Sequence, residues 1–75
     1  MYFTNKMTKE EFSNTIKEAA NNRPKNWRYG QAVFNYTSEL FGVARKVQMI
    51  DHIDCFYNDD MVDSFIEKAY SRYNG

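Results

Sequence analysis

The sequence predicts an all-α protein, a compact bundle of three to four short helices at about residues 8–21, 27–41, 43–50 and 59–73, in one domain over 1–75. Three observations lead to this prediction. Apolar side chains recur every three or four residues from Phe12 to Tyr73, which is the period of a helix. Capping residues, glycine and proline interrupt that pattern at a few defined points. No stretch alternates apolar and polar residues for long enough to indicate a strand.

The first helix is predicted to begin after Thr8. Thr8 and Glu11 have the spacing of a capping box, in which each side chain accepts the backbone N–H of the other residue. The helix is expected to end near Asn21, because the residue before Pro24 is driven out of the helical conformation. Its apolar face is formed by Phe12, Ile16, Ala19 and Ala20.

The second helix is predicted to have Asn26 as its N-cap and to begin at about residue 27. Gly30 lowers helix propensity by about 1 kcal/mol relative to Ala, so its presence indicates that another backbone passes close by. Gly42 either ends this helix or bends it. A short third helix over 43–50 is favoured, since apolar residues continue at helical spacing. The stripe of the second helix comprises Gly30, Val33, Phe34, Thr37 and Phe41.

The segment 51–58 has no clear period and is predicted to be a packed loop. Asn58 or Asp59 is expected to cap the last helix, and the carboxylates of Asp60 and Asp63 suit its positive N-terminal end. Lys68 and Arg72 similarly suit its C-terminal end. The apolar stripe of this helix consists of Met61, Val62, Phe65, Ile66, Ala69, Tyr70 and Tyr73.

Length and composition limit how this chain can be stabilised. Its 75 residues include six Tyr, six Phe and one Trp, so aromatic packing must supply much of a small core. The single Cys55 excludes an internal disulfide and is expected to be a small buried or half-buried residue in a reducing cytoplasm. Residues 1–6 do not have the pattern of an export signal, and no apolar stretch suits a membrane span. We therefore expect a cytoplasmic protein, stabilised by packing or as a homo-oligomer.

The charge is balanced overall but divided along the chain. Residues 1–30 carry six Lys or Arg and three Glu, whereas residues 51–75 carry six Asp or Glu and two cations. We expect the two ends to lie near each other, within one chain or between subunits, and to neutralise one another. A net charge of zero argues against general nucleic-acid binding.

The residues that could carry chemistry are few. His52 is the single histidine, so no catalytic pair can be proposed without it. The acidic residues around it lack the spacing and the central glycine of a calcium loop. No catalytic residue, metal or cofactor is predicted, and the chain is not expected to be an enzyme.

The segment 23–29 is basic with interleaved aromatic residues, which is a composition that can hold phosphates and stack bases. A nucleotide- or nucleic-acid-binding module using Arg23, Lys25, Trp27 and Arg28 is therefore the alternative function. The structural interpretation of the same segment is a solvated helix entry in which Trp27 packs inward. The neutral charge of the whole domain makes that interpretation the stronger one.

Two stretches carry a recognisable pattern, W-R-x-G-Q-x-x-F-N at residues 27–35 and D-x-F-Y-x-D at residues 54–59. In these stretches the chain resembles a group of short, uncharacterised proteins encoded in tailed phages and bacterial genomes. The resemblance covers about two-thirds of the chain and implies a genomic setting, with no mechanism. Pro is common in that group at the position of Cys55, which implies that Cys55 is not a reactive centre.

Arg28, Gln31 and Asn35 are spaced to form a polar row along one edge of the second helix. That row can receive Asp54 and the backbone of loop 51–58, which would lock the loop against the helix. It can also form a protein-binding surface together with Tyr57. We expect an interaction protein that modulates a host or phage macromolecule by surface contact.

Overall fold

The computed structural model describes residues 7–74, and within them it has four α-helices and no strand. The helices are α1 (Lys9–Asn21), α2 (Tyr29–Phe41), α3 (Ala44–Ile50) and α4 (Val62–Asn74), with a 3-10 turn at Asp59–Met61 before α4. The prediction of an all-α bundle of short helices is confirmed. The expectation that residues 1–6 are not an export signal lies outside the described residues.

The start of α1 has the predicted capping box. The hydroxyl of Thr8 accepts the backbone N–H of Glu11 at 3.1 Å, and the Glu11 carboxylate accepts the N–H of Thr8 at 2.9 Å. Two of the backbone N–H groups that a helix start leaves without partners are thereby satisfied. The helix ends at Asn21, as the sequence predicts.

The predicted start of α2 is wrong. Arg28, not Asn26, is the N-cap, and the helix begins at Tyr29. The Trp27 N–H donates to the Pro24 carbonyl at 3.1 Å, so these residues form a turn. The Arg23 guanidinium donates to the Trp27 carbonyl at 2.9 Å. Trp27 therefore belongs to this turn and precedes the first residue of α2.

Gly42 ends α2 rather than bending it. Its φ of 71° lies in the left-handed region, and its N–H donates to the Ser38 carbonyl at 2.9 Å and the Thr37 carbonyl at 3.1 Å. This is the geometry of a glycine-terminated helix. The chain therefore turns at Gly42, and α3 starts two residues later.

Every helix contributes to one core. Phe12 and Ile16 of α1, Val33 of α2, Val47 of α3 and Phe65 of α4 are fully buried. Helices α2 and α4 each contact the other three helices. The predicted stripe of α4 is confirmed, since Val62, Phe65, Ile66 and Ala69 are buried.

Aromatic side chains close one end of the core. The ring centroids of Phe12 and Phe41 lie 4.4 Å apart, and Tyr73 lies 5.3 Å from Phe12 and 5.0 Å from Phe41. Tyr70 meets Phe12 edge-on at 5.3 Å, and its hydroxyl donates to the Met7 carbonyl at 2.7 Å. This group joins α1, α2 and α4 through aromatic contacts that favour tilted and edge-on geometry.

Ion pairs between α1 and α4 confirm that the two oppositely charged ends of the chain lie close together. Lys9 is 2.7 Å from Glu67, and Lys17 is 3.4 Å from Asp63. Each pair includes at least one largely exposed side chain, so each stabilises the fold by at most about 1 kcal/mol. The main effect of these pairs is that the cations of α1 neutralise carboxylates of α4.

Candidate functional site

The two stretches that carry the sequence pattern meet at the N-terminal end of α2. Residues 27–35 and 54–59 are joined there by three hydrogen bonds and by aromatic contact. We call this region the motif junction. It locks the loop before α4 against α2, as the sequence predicts. Arg28 of the polar row binds the loop backbone at Phe56, as expected, whereas the carboxylate that reaches α2 is that of Asp59.

Asp59 satisfies the first turn of α2 from the loop. Its Oδ1 accepts the backbone N–H of Gly30 at 2.8 Å. The N-cap residue, Arg28, has no side-chain acceptor and cannot perform this role. Gln31 adds a local contact, since its Oε1 accepts the N–H of Arg28 at 3.3 Å. The start of α2 is therefore capped from two directions, one local and one distant.

Gly30 permits the closest approach of the two stretches. A Cβ at this position would overlap the carbonyl oxygen of Cys55 and would lie 2.7 Å from Asp59 Oδ1. The Cys55 thiol donates to the Gly30 carbonyl at 3.3 Å. The prediction that another backbone passes close to Gly30 is confirmed, and the passing backbone belongs to Cys55.

Cys55 is a fully buried residue, as the sequence predicts. Burial, with a smaller effect from the nearby Asp54 charge, raises the pKa of its thiol to about 12. The thiolate is the nucleophilic form of cysteine, and at neutral pH this side chain remains protonated. Cys55 therefore serves the packing and hydrogen bonding of the junction.

The expectation that the polar row of α2 receives Asp54 is wrong. Asp54 Oδ1 accepts the N–H of Phe56 at 2.8 Å, and Oδ2 accepts the side-chain amide of Gln48 at 3.3 Å. A bond to the N–H two residues ahead is the local turn that Asp side chains favour. Asp54 thus shapes its own loop and ties it to α3, and Asp59 is the carboxylate that reaches α2.

Phe56 fixes the loop by packing. Its ring meets Phe34 edge-on at 5.6 Å, and Phe34 in turn lies 5.5 Å from the buried Phe65 of α4. Three elements are thereby connected through one row of rings. The backbone at Phe56 has little freedom, which fixes the position of the residue that follows.

Tyr57 is the exposed part of the junction. Tyr57 is 75% exposed. No other large apolar or aromatic residue among residues 7–74 has a larger exposed fraction. The Arg28 guanidinium lies 5.5 Å from the Tyr57 ring centroid and donates to the Phe56 carbonyl at 3.2 Å. Arg28 and Tyr57, both predicted as partner-binding residues, are thus brought together on the surface.

The other two predicted partner-binding residues have less direct roles. Gln31 and Asn35 are partly buried on α2, and Gln31 is used in the local cap of Arg28. Their spacing from Arg28 places all three on one edge of the helix. Contact with Tyr57 is made by Arg28.

The basic segment 23–29 is mostly used internally. The Arg23 guanidinium donates to the Trp27 carbonyl at 2.9 Å and the Ala20 carbonyl at 3.1 Å, and lies 5.6 Å from the Tyr29 ring centroid. Trp27 is half-buried, with its ring 5.9 Å from Tyr36. Of the four residues in the nucleic-acid alternative, Lys25 and Arg28 are the two that are exposed.

His52 lies in the loop after α3, exposed and with a positive φ of 60°. Its neighbour Asp51 is bound by Arg72 through contacts of 2.6 and 3.0 Å. The hydrogen bonds from Arg72 hold the pKa of the Asp51 carboxyl below its usual range. Within residues 7–74 there is no group of three or more His, Cys, Asp or Glu side chains that could hold a metal ion.

The surface of α4 carries a depression away from the motif junction. An open groove of about 490 Å³ runs along α4 and is lined by Ile53, Asp63, Ser64, Glu67, Lys68 and Ser71.

Among residues 7–74, no helix combines the length and apolar character needed to cross a membrane. Comparisons with protein-family models, curated proteins and solved structures find no match to this chain. Its function is therefore argued from its own geometry.

Proposed function

We propose that this protein is a small phage- or bacterium-encoded interaction protein that modulates a host or phage macromolecule by surface binding. The observation that carries the proposal is the exposed Tyr57, held beside the Arg28 guanidinium on a loop that is fixed to α2. The resemblance of residues 27–35 and 54–59 to short phage and bacterial proteins supports the genomic setting. An anti-defence or regulatory role fits a binding protein of this size.

The chemistry of these two side chains suits a protein partner. Tyr and Arg are the residue types most enriched, with Trp, among those that dominate binding energy at protein interfaces. An exposed tyrosine offers a large apolar ring together with a hydroxyl that can donate or accept. Arg28 uses one nitrogen on the Phe56 carbonyl, which leaves further donors of its guanidinium for a partner.

The rigidity of the junction supports the same conclusion. Binding is weakened by the entropy lost when mobile side chains and loops become ordered. Here the backbone on both sides of Tyr57 is already held, by the ring contact of Phe56 and by the bond from Asp59 to α2. A partner would bind a surface that is largely ordered in advance.

The proposal is tested by affinity capture from a bacterial lysate. Wild-type protein, Tyr57→Ala and Lys25→Ala are immobilised, and retained proteins are compared by quantitative mass spectrometry. We expect a protein that is retained by the wild type and by Lys25→Ala and is reduced at least about tenfold with Tyr57→Ala, as for a hot-spot residue. Retained proteins that do not distinguish Tyr57→Ala from the wild type would count against this surface. Circular dichroism confirms that each variant is folded.

A further inference from the structure

Helix α3 has an exposed face that the motif junction does not use. Arg45, Lys46, Met49 and Ile50 are all exposed, with Met49 at 63% and Ile50 at 58%. Residues three and four apart on a helix are neighbours, so these side chains form one patch of two cations beside two large apolar groups. We call it the α3 face. On the opposite side Ala44 and Val47 are fully buried, which fixes the orientation of the helix.

The two cations of the α3 face lack acidic partners. Lys9, Lys17 and Arg72 each form an ion pair, whereas neither Arg45 nor Lys46 has a carboxylate within that distance among residues 7–74. Asp51, which follows α3 directly, is bound by Arg72 at 2.6 Å. Glu39, which is as far from Arg45 along the chain as Asp51 is, forms no ion pair with either cation among residues 7–74. Both cations of the α3 face therefore remain without a carboxylate at ion-pair distance.

We propose that the α3 face binds an acidic segment of a partner protein that carries apolar side chains among its carboxylates. Arg45 and Lys46 attract the carboxylates, and Met49 and Ile50 lose water against the apolar side chains. Arginine and methionine are both enriched at protein interfaces. This surface is distinct from the pair Arg28 and Tyr57 and would be a second point of contact.

The composition of the α3 face favours a protein over the other anionic partners. Recognition of anionic membranes uses clusters of about four to eight Lys or Arg, and α3 has two. Phosphate backbones are contacted mainly by cations and hydrogen-bond donors, and two exposed aliphatic side chains add nothing to such contacts. An acidic protein segment that also carries apolar side chains can contact both the two cations and the two apolar side chains of the α3 face.

The test uses two labelled synthetic helical peptides and fluorescence polarisation. One peptide carries Glu and Leu at helical spacing, and the other has Lys in place of every Glu. Each is titrated with the full chain as wild type, Arg45→Glu, Lys46→Glu, Ile50→Ser, Lys25→Glu and Tyr57→Ala. Lys25→Glu reverses an exposed charge elsewhere, and Tyr57→Ala removes the contact proposed above.

We expect the wild type to bind the acidic peptide in a salt-dependent manner and not the basic one. Arg45→Glu, Lys46→Glu and Ile50→Ser should each weaken binding at least about fivefold, whereas Lys25→Glu and Tyr57→Ala should stay within about twofold. Because the altered side chains are exposed, the variants should retain the helical circular dichroism of the wild type. Tyr57→Ala should abolish lysate capture and leave peptide binding unchanged, and this difference separates the present proposal from the preceding one.

Four outcomes would overturn the proposal. The first is no binding of the acidic peptide at millimolar concentration, and the second is equal loss with Lys25→Glu. The third is binding to vesicles of equal phosphatidylglycerol and phosphatidylcholine that Lys46→Glu abolishes, since the occupant would then be a membrane. The fourth is a dimer in light scattering that Ile50→Ser converts to monomer, since a second copy would then cover the face.

Discussion

Asp59 Oδ1 lies 2.8 Å from the backbone nitrogen of Gly30, 29 positions earlier in the chain, and supplies an acceptor that the N-cap residue of α2 does not have. The residue at the N-cap, Arg28, has no side-chain acceptor for this N–H. Formation of the first turn of α2 therefore depends on the docking of the loop before α4. The first turn of α2 and the tertiary structure of the junction are stabilised together.

Replacing Asp59 should reveal this coupling. We expect Asp59→Ala to lower the free energy of unfolding by about 1 kcal/mol, the usual effect of removing a helix cap. Asp59→Asn keeps an acceptor oxygen and should lose less. Asp60→Ala is the matched control, because the Asp60 side chain makes no hydrogen bond with another described residue. Urea denaturation measures all three, and equal loss with Asp59→Ala and Asp60→Ala would contradict the cap.

The two described glycines, Gly30 and Gly42, should respond to substitution for different reasons. Gly30→Ala adds a Cβ that overlaps the Cys55 carbonyl, and we expect a net loss of about 1–3 kcal/mol despite the better helix propensity of Ala. Gly42 has open space around it but a φ of 71°, so Gly42→Ala should lose about 1 kcal/mol through backbone strain.

Asparagine separates the two causes. It tolerates the left-handed conformation, so Gly42→Asn should be more stable than Gly42→Ala. Gly30→Asn should be no better than Gly30→Ala, since the space is still occupied by Cys55. Thermal or urea unfolding gives the ranking. A stabilising effect of Gly30→Ala would show that the two backbones do not approach as described.

The sequence predicts those parts of the fold that depend on local spacing. The capping box of Thr8 and Glu11 and the buried stripe of α4 both follow from residues three or four positions apart. The start of α2 does not, because residues 24–27 form a turn in which the Trp27 N–H donates to the Pro24 carbonyl. Asn26 has the right residue type for a cap, but it lies inside that turn, and the helix begins at Tyr29.

The candidate site was predictable to a similar extent. Spacing places Arg28 on the edge of α2, and the pattern at residues 54–59 includes Tyr57, which we predicted to bind a partner. The role of Asp59 could not be derived, because its partner lies 29 positions away. The one available signal was Gly30, a glycine inside a predicted helix that indicates a close backbone.

The pair of Asp51 and Arg72 should make stability depend on pH. The hydrogen bonds from Arg72 lower the pKa of the Asp51 carboxyl from its ordinary value of 3.8. A carboxyl with a depressed folded-state pKa stabilises the fold fully above its unfolded value, and the contribution is lost as pH falls through the folded value. We therefore expect the wild type to exceed Asp51→Asn in urea midpoint at neutral pH.

That difference should shrink as the pH is lowered from about 6 to about 2, because the ionised carboxylate disappears from the wild type. Asp60→Asn serves as the control, since its carboxylate has no ion-pair partner among residues 7–74. Urea titrations at each pH provide the measurement. A difference between wild type and Asp51→Asn that is constant across this range would mean that the ion pair is not responsible.

Arg23 and Lys25 should separate the structural role of segment 23–29 from its nucleic-acid alternative. Arg23→Met removes hydrogen bonds to the Trp27 and Ala20 carbonyls and should lower the free energy of unfolding by about 1–3 kcal/mol. Lys25 is exposed, and Lys25→Met should change the free energy of unfolding by less than about 0.5 kcal/mol.

If the segment contacts phosphate, Lys25→Met should reduce the salt dependence of binding to single-stranded DNA by about one ion while stability is unchanged. Loss of stability with Lys25→Met but not with Arg23→Met would reverse these assignments, because the side chain that bonds the backbone must be the one that stabilises it.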